Sequence, residues 1–143
     1  MRKALIAVGV AASSLAVAIA AGAASNAATK LEAQLRGANE GAPASNRGRA
    51  EIRLTPSTGR VCWETTIAKI DGKPNASHIH KGRRGVSGNV VVPLGAGYKR
   101  QGCTTAAKTL VRAIIRTPGA YYVNVHNAKH PAGAMRGQLT RGT

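Results

Sequence analysis

The residues best suited to chemistry in this chain are its four histidines, His78, His80, His126 and His130. Neutral imidazole is a good ligand for Zn²⁺ and Cu²⁺, and three such ligands leave an open coordination position. His78 and His80 lie two apart, so on a strand they project side by side while Ile79 faces the core. In the run Tyr121 to His126, the residues Tyr122, Asn124 and His126 share one face, and Tyr121, Val123 and Val125 share the other. His130 follows in the loop from Asn127 to Gly133. If the two strands are neighbours, three or four imidazoles converge where copper or zinc could bind. The same rings could instead hydrogen-bond to loop carbonyls and pin the sheet edge. The sequence leaves both readings open.

Other chemistry has less to work with. The acids are Glu32, Glu40, Glu51, Glu64 and Asp71, with no adjacent carboxyl pair and none flanking the histidines. No nucleophile-elbow motif is present for a Ser-His-Asp site. The Gly-rich stretch from Gly82 to Gly88 lacks the Lys-Ser/Thr ending of a phosphate-binding loop and reads as a turn. Arg83 and Arg84 sit at its tip with Lys81 just before it, and these three are the bases placed to meet an anion. The composition therefore points to a non-enzymatic protein.

The elements that must position the histidines are mostly strands. Leu31 to Leu35 and Ala50 to Leu54 alternate apolar and polar residues with period two. Between them, Gly37 to Arg47 has loop composition. After the turn Pro56 to Gly59, Arg60 to Ile67 places Val61, Trp63, Thr65 and Ile67 on one face and Cys62, Glu64 and Thr66 on the other. Asp71 to Pro74 turns the chain. Ala76 to His80, Asn89 to Leu94, Tyr121 to His126 and Ala134 to Leu139 complete the strands. In Ala106 to Arg116, Leu110, Val111, Ile114 and Ile115 recur at helical spacing, and Thr117-Pro118-Gly119 stops the helix. Short strands with frequent turns predict a mainly β protein, an antiparallel β-sandwich with one short helix.

The 143 residues fit one domain. With four aromatics and no Phe, the core must be built from Val, Ile, Leu and Ala. The N-terminus reads as an address: Arg2 and Lys3, an apolar run from Ala4 to Ala12, a second from Leu15 to Ala24, then small-x-small sites such as Ala21-Gly22-Ala23 and Ser25-Asn26-Ala27. That is a secretory signal over residues 1–27, with the domain in 28–143 and no second hydrophobic span after it. A retained membrane anchor is the alternative, but its alanines and glycines make a poor lipid-facing surface. In an exported protein Cys62 and Cys103 read as a disulfide, with one possible connectivity.

Lys and Arg number 21 against 5 acids, a formal charge of +16. Loss of Arg2 and Lys3 with the signal leaves 19 bases against 5 acids, or +14. Such a chain is drawn to polyanions, and that attraction weakens with salt. Anionic envelope polymers are the candidate partners, and a solvated basic surface with no specific partner is the alternative. The bases are scattered and no aromatic-rich stacking motif accompanies them, so specific nucleic-acid binding is not expected.

Several segments together resemble one family. They are Ser77-His78-Ile79-His80-Lys81-Gly82, then Gly85 and Gly88 to Val92, then Pro118 and Tyr121-Tyr122-Val123-Asn124-Val125-His126, and Pro131 to Leu139. These resemble the CHRD domain, named after chordin and common in exported bacterial proteins; Leu31 to Glu40 and the cysteine pair also look like bacterial members. The resemblance covers about residues 30–140. It implies an extracellular β-sandwich and, for bacterial members, no settled activity. His78 to Gly82 is similar as well to the copper-site strand of copper/zinc superoxide dismutases, which are sandwiches too. This chain departs from that family in having no histidine cluster followed by an aspartate for the zinc site, since Asp71 precedes the His pair. Copper binding stays within that expectation and dismutase activity does not. The expectation is an exported, non-enzymatic binding or structural module, with a copper or zinc protein as the alternative.

Overall fold

The computed structural model describes residues 27–142. The signal expected over residues 1–27 lies outside them save for Ala27. The described chain runs as β1 (Thr29–Arg36), a 3₁₀ turn (Gly37–Glu40), β2 (Arg47–Thr55), β3 (Arg60–Lys69), β4 (Pro74–Lys81), β5 (Val90–Pro93), β6 (Gln101–Thr105), α1 (Lys108–Arg116), a second 3₁₀ turn (Pro118–Ala120), β7 (Tyr121–Asn127), β8 (Met135–Gln138) and β9 (Thr140–Arg141).

The strands pair antiparallel in one continuous path, β5-β4-β7-β8-β1-β2-β3-β6, with β9 added to β1. The path is densely paired within each half and thin in the middle, where β8 and β1 meet through the register pair Arg36/Arg136. The sheet curls there into a sandwich whose two inner faces share one core. Leu31, Ala33 and Leu35 of β1, Ile52 and Leu54 of β2, and Val61 and Trp63 of β3 pack with Ile79 of β4, Val123 and Val125 of β7 and Met135 of β8. The alternation read from the sequence is what directs them inward. The helix contributes Val111 and Ile114, both fully buried. None of the helices among the described residues is long and apolar enough to cross a membrane.

Two strands lacked a signal in the sequence. In β6, Gln-Gly-Cys-Thr-Thr, the inward positions hold Gly102 and Thr104, and the ring of Trp63 occupies the space a side chain at Gly102 would fill. The strand β9 is two residues long. The disulfide forms as expected, joining Cys62 to Cys103 directly across the β3–β6 pair.

Candidate metal centre

The two histidine-bearing strands are neighbours. In the β4–β7 register His78 lies opposite Asn124, His80 opposite Tyr122, and Ala76 opposite His126. The pleat puts His78, His80 and His126 on one face, with His80 two residues along β4 from His78 and His126 diagonal to His78. The β4–β5 pairing slips between Ile79 and His80, so His80 pairs with Val90. That irregularity brings the Gly88 carbonyl to His80 Nδ1, at 2.9 Å.

Carbonyl oxygens fix the tautomers. A carbonyl can only accept, so Nδ1 of His80 carries a proton and its Nε2 holds the lone pair. His126 Nδ1 meets the Pro131 carbonyl at 2.9 Å, which likewise leaves the lone pair on Nε2. That Nε2 lies 3.1 Å from His78 Nδ1, so in this arrangement His78 Nδ1 donates to it. One nitrogen from each ring falls within 4.8 Å of the other two. His80 Nε2 is buried and has no hydrogen-bond partner among the described residues.

The surroundings disfavour the charged form of His78 and His80. Burial lowers the pKa of His78, with further lowering by His126 and His80. Burial also lowers that of His80, against the opposing pull of the Gly88 carbonyl. The His80 ring stacks on Tyr122, with centroids 4.8 Å apart and planes 8° from parallel. The Tyr122 hydroxyl accepts from Gly88 N–H at 3.2 Å, tying the ring to the same loop. Arg136 lies 4.9 Å from the Tyr122 centroid as a cation–π contact. Tyr122, Gly88, Pro131 and Arg136 thus complete the centre. The sequence placed Tyr122 on the histidine face but gave no sign of the two carbonyls.

His130 is not brought into this group. Its Nε2 lies 2.9 Å from Asp71 Oδ2, and its backbone N–H donates to Asn127 Oδ1 at 2.8 Å. Asn46 donates to the other Asp71 oxygen at 2.6 Å. Asn46 first, and then His130, hold the Asp71 carboxyl below its ordinary pKa. His130 therefore fastens the Asp71 turn to the loop before β8. Lys81, Arg83 and Arg84 are exposed. Of the three, Arg84 lines a cleft, shared with Asn39 and Arg136.

No curated protein and no solved structure matches the chain. The family model of the CHRD domain matches residues 31–139, from the first core residue of β1 to the last residue before β9. That span takes in both histidine strands, the disulfide and the joining β8–β1 seam, and the chain belongs to the CHRD domain family.

Proposed function

We propose that this CHRD domain is a non-enzymatic binding module that takes a copper or zinc ion on His78, His80 and His126. The observation that carries the reading is the convergence of three imidazole nitrogens within 4.8 Å of one another, from two adjacent strands. Nitrogens bound at 2.0–2.1 Å to one tetrahedral ion stand roughly 3.3 Å apart, so small ring rotations suffice. Backbone carbonyls already orient His80 and His126, the arrangement that outer partners of metal-bound histidine provide. The buried lone pair of His80 Nε2 also favours a ligand, because an unsatisfied buried acceptor costs about 1–3 kcal/mol. His78 would bind through Nδ1 once its proton moves to Nε2. Copper is favoured over zinc by the general affinity order for nitrogen sites.

Residues 1–27 act in this reading as a cleaved secretory signal and 28–143 as the exported domain. The disulfide supports export, since such bonds persist in oxidising compartments. The charge of the exported part supports a second property, attraction to anionic envelope polymers.

The test is elemental analysis and Cu²⁺/Zn²⁺ titration of protein purified without a histidine tag. One metal per chain is expected, lost in His78→Ala and His126→Ala and kept in His130→Ala. A folded parent that takes up no metal, or a His78→Ala variant that binds as well as the parent, overturns the reading.

A further inference from the structure

We infer that the outer face of β8, β1 and β2 is a binding track for a linear, acidic, hydroxyl-rich polymer such as an anionic polysaccharide. The inference rests on the attraction to anionic polymers proposed above and gives it a location. Arg36 is the register partner of Arg47 on one side and of Arg136 on the other, which lines up three guanidinium side chains across three strands. Strands lie about 4.8 Å apart, so the side chains of Arg36 and Arg47 stand at about that interval. Like charges directly opposed across a sheet are destabilising by themselves. Arg49, two residues along β2 from Arg47, shares its face, and Arg84 reaches the same region from the 82–88 loop.

Among the described residues, Arg136 is the one member of this row that an acid meets. Glu32 and Glu51 pair with Lys30, Glu51 also with Arg53, Glu64 with Arg100, and Asp71 with His130. Glu40, largely buried, lies 3.6 Å from Arg136. Among the described residues Arg36, Arg47, Arg49 and Arg84 make no ion pair. They line three adjoining depressions of about 280, 290 and 330 Å³, joined through Arg84 and Asn39 at one end and through Arg36 and Gln34 at the other. No carboxylate and no aromatic ring lines any of the three.

That lining selects the ligand. Guanidinium groups donate to carboxylate or phosphate oxygens in a fork geometry. Gln138 donates to the Gly82 and Gly119 carbonyls and Asn39 donates one amide N–H to the Arg136 carbonyl, which leaves their side-chain oxygens to accept from hydroxyls. Donors for oxyanions beside acceptors for hydroxyls suit an acidic sugar polymer. Single-stranded nucleic acid needs stacking faces, and this track offers none.

The experiment is fluorescence anisotropy of the protein with labelled oligogalacturonate, poly(glycerol phosphate) and a thymidine oligonucleotide at 0.15 M salt, near physiological ionic strength. The variants are Arg36→Ala/Arg84→Ala and, as a charge-matched control on the helix, Lys108→Ala/Arg112→Ala. All four residues are exposed. The first pair is expected to weaken binding to the sugar or the polyol phosphate about tenfold. The control should stay within about twofold. The polymer that responds identifies carboxylate or phosphate as the recognised group. Equal weakening by both variants overturns the track while leaving the general attraction standing. A parent that binds none of the polymers overturns both. Oligonucleotide binding as tight, with the same arginine dependence, reassigns the face to nucleic acid and also overturns the proposal.

Discussion

Gly137→Ala should be among the most damaging single-methyl changes available in this fold. Gly137 lies in β8 beside the seam where the two halves of the sheet meet. A Cβ placed there would run into the carbonyl oxygen of Gln34 in β1 and stand 2.6 Å from its carbonyl carbon and 3.1 Å from its nitrogen. All three obstacles are backbone, so no side chain can rotate away. To restore ordinary contact, β8 must back off from β1 by about 1 Å, and overpacking of this kind costs about 1–3 kcal/mol. Backing off also loosens the hydrogen bonding of the Arg36/Arg136 pair, worth about 1 kcal/mol more. The sum is about 3 kcal/mol. For a domain of this size that lowers the melting temperature by roughly 12 °C, at about 4 °C per kcal/mol. Gly119→Ala is the matched control: nothing lies within 4 Å of its Cβ position and its backbone is not left-handed. It should stay within about 0.5 kcal/mol of the parent. Thermal and urea unfolding by circular dichroism measure both variants. A Gly137→Ala protein melting within about 2 °C of the parent would show that the seam is not a close-packed backbone contact.

Other outcomes follow from the histidines and the disulfide. His130→Ala should leave metal affinity within about twofold, while His78→Ala should weaken it more than about a hundredfold; comparable losses in both would place His130 in the centre after all. His78 and His80 have lowered pKa values in the fold, whereas in the unfolded chain they titrate near the ordinary imidazole value of 6.5. The unfolded state therefore takes up protons first, and stability falls as the pH drops from 6.5 through the lowered folded values. His80→Asn, whose amide can still donate to the Gly88 carbonyl, should flatten that fall in urea titrations across the same range; an unchanged slope would refute the assignment. Cys62→Ser/Cys103→Ser should cost about 4 kcal/mol, from chain entropy alone. A loss below about 1 kcal/mol, by denaturant midpoint, would mean the unfolded chain is already constrained.

Much of the fold was legible because its strands bury one face each. Alternation located β1 to β4, and the pairing of His78 with His80 on one side of Ile79 followed from the pleat alone. The helix showed its buried stripe in Val111 and Ile114. What stayed hidden depends on partners far away in the chain. His130 reads in the sequence as a further candidate ligand, and nothing there shows that Asp71, 59 positions earlier, lies against it. The loop carbonyls of Gly88 and Pro131 have no residue-type signature, yet they set which nitrogen of each ring is available. The arginines seemed scattered because Arg36, Arg47 and Arg136 become neighbours through register, which composition does not encode. Conversely, β6 was silent because its inward residues are a glycine beneath an indole ring and a polar threonine, Thr104.

The open path of the sheet leaves two outer strands, β5 and β6, and each is guarded in a different way. The first is four residues long and closes on Pro93, which has no N–H to offer another chain. The second is five residues long and is held to β3 by the Cys62–Cys103 bond. Reduction would remove the covalent tie and leave β6 held by backbone pairing and the contact of Gly102 with the Trp63 ring. Its release would bare the ten-residue β3, with alternating Val61, Trp63 and Thr65, as a template for strand addition. The disulfide is thus a guard against self-assembly as well as a brace for the monomer. In reducing solution the protein should be lost by polymerisation, at a rate that rises with concentration, before it is lost by unfolding.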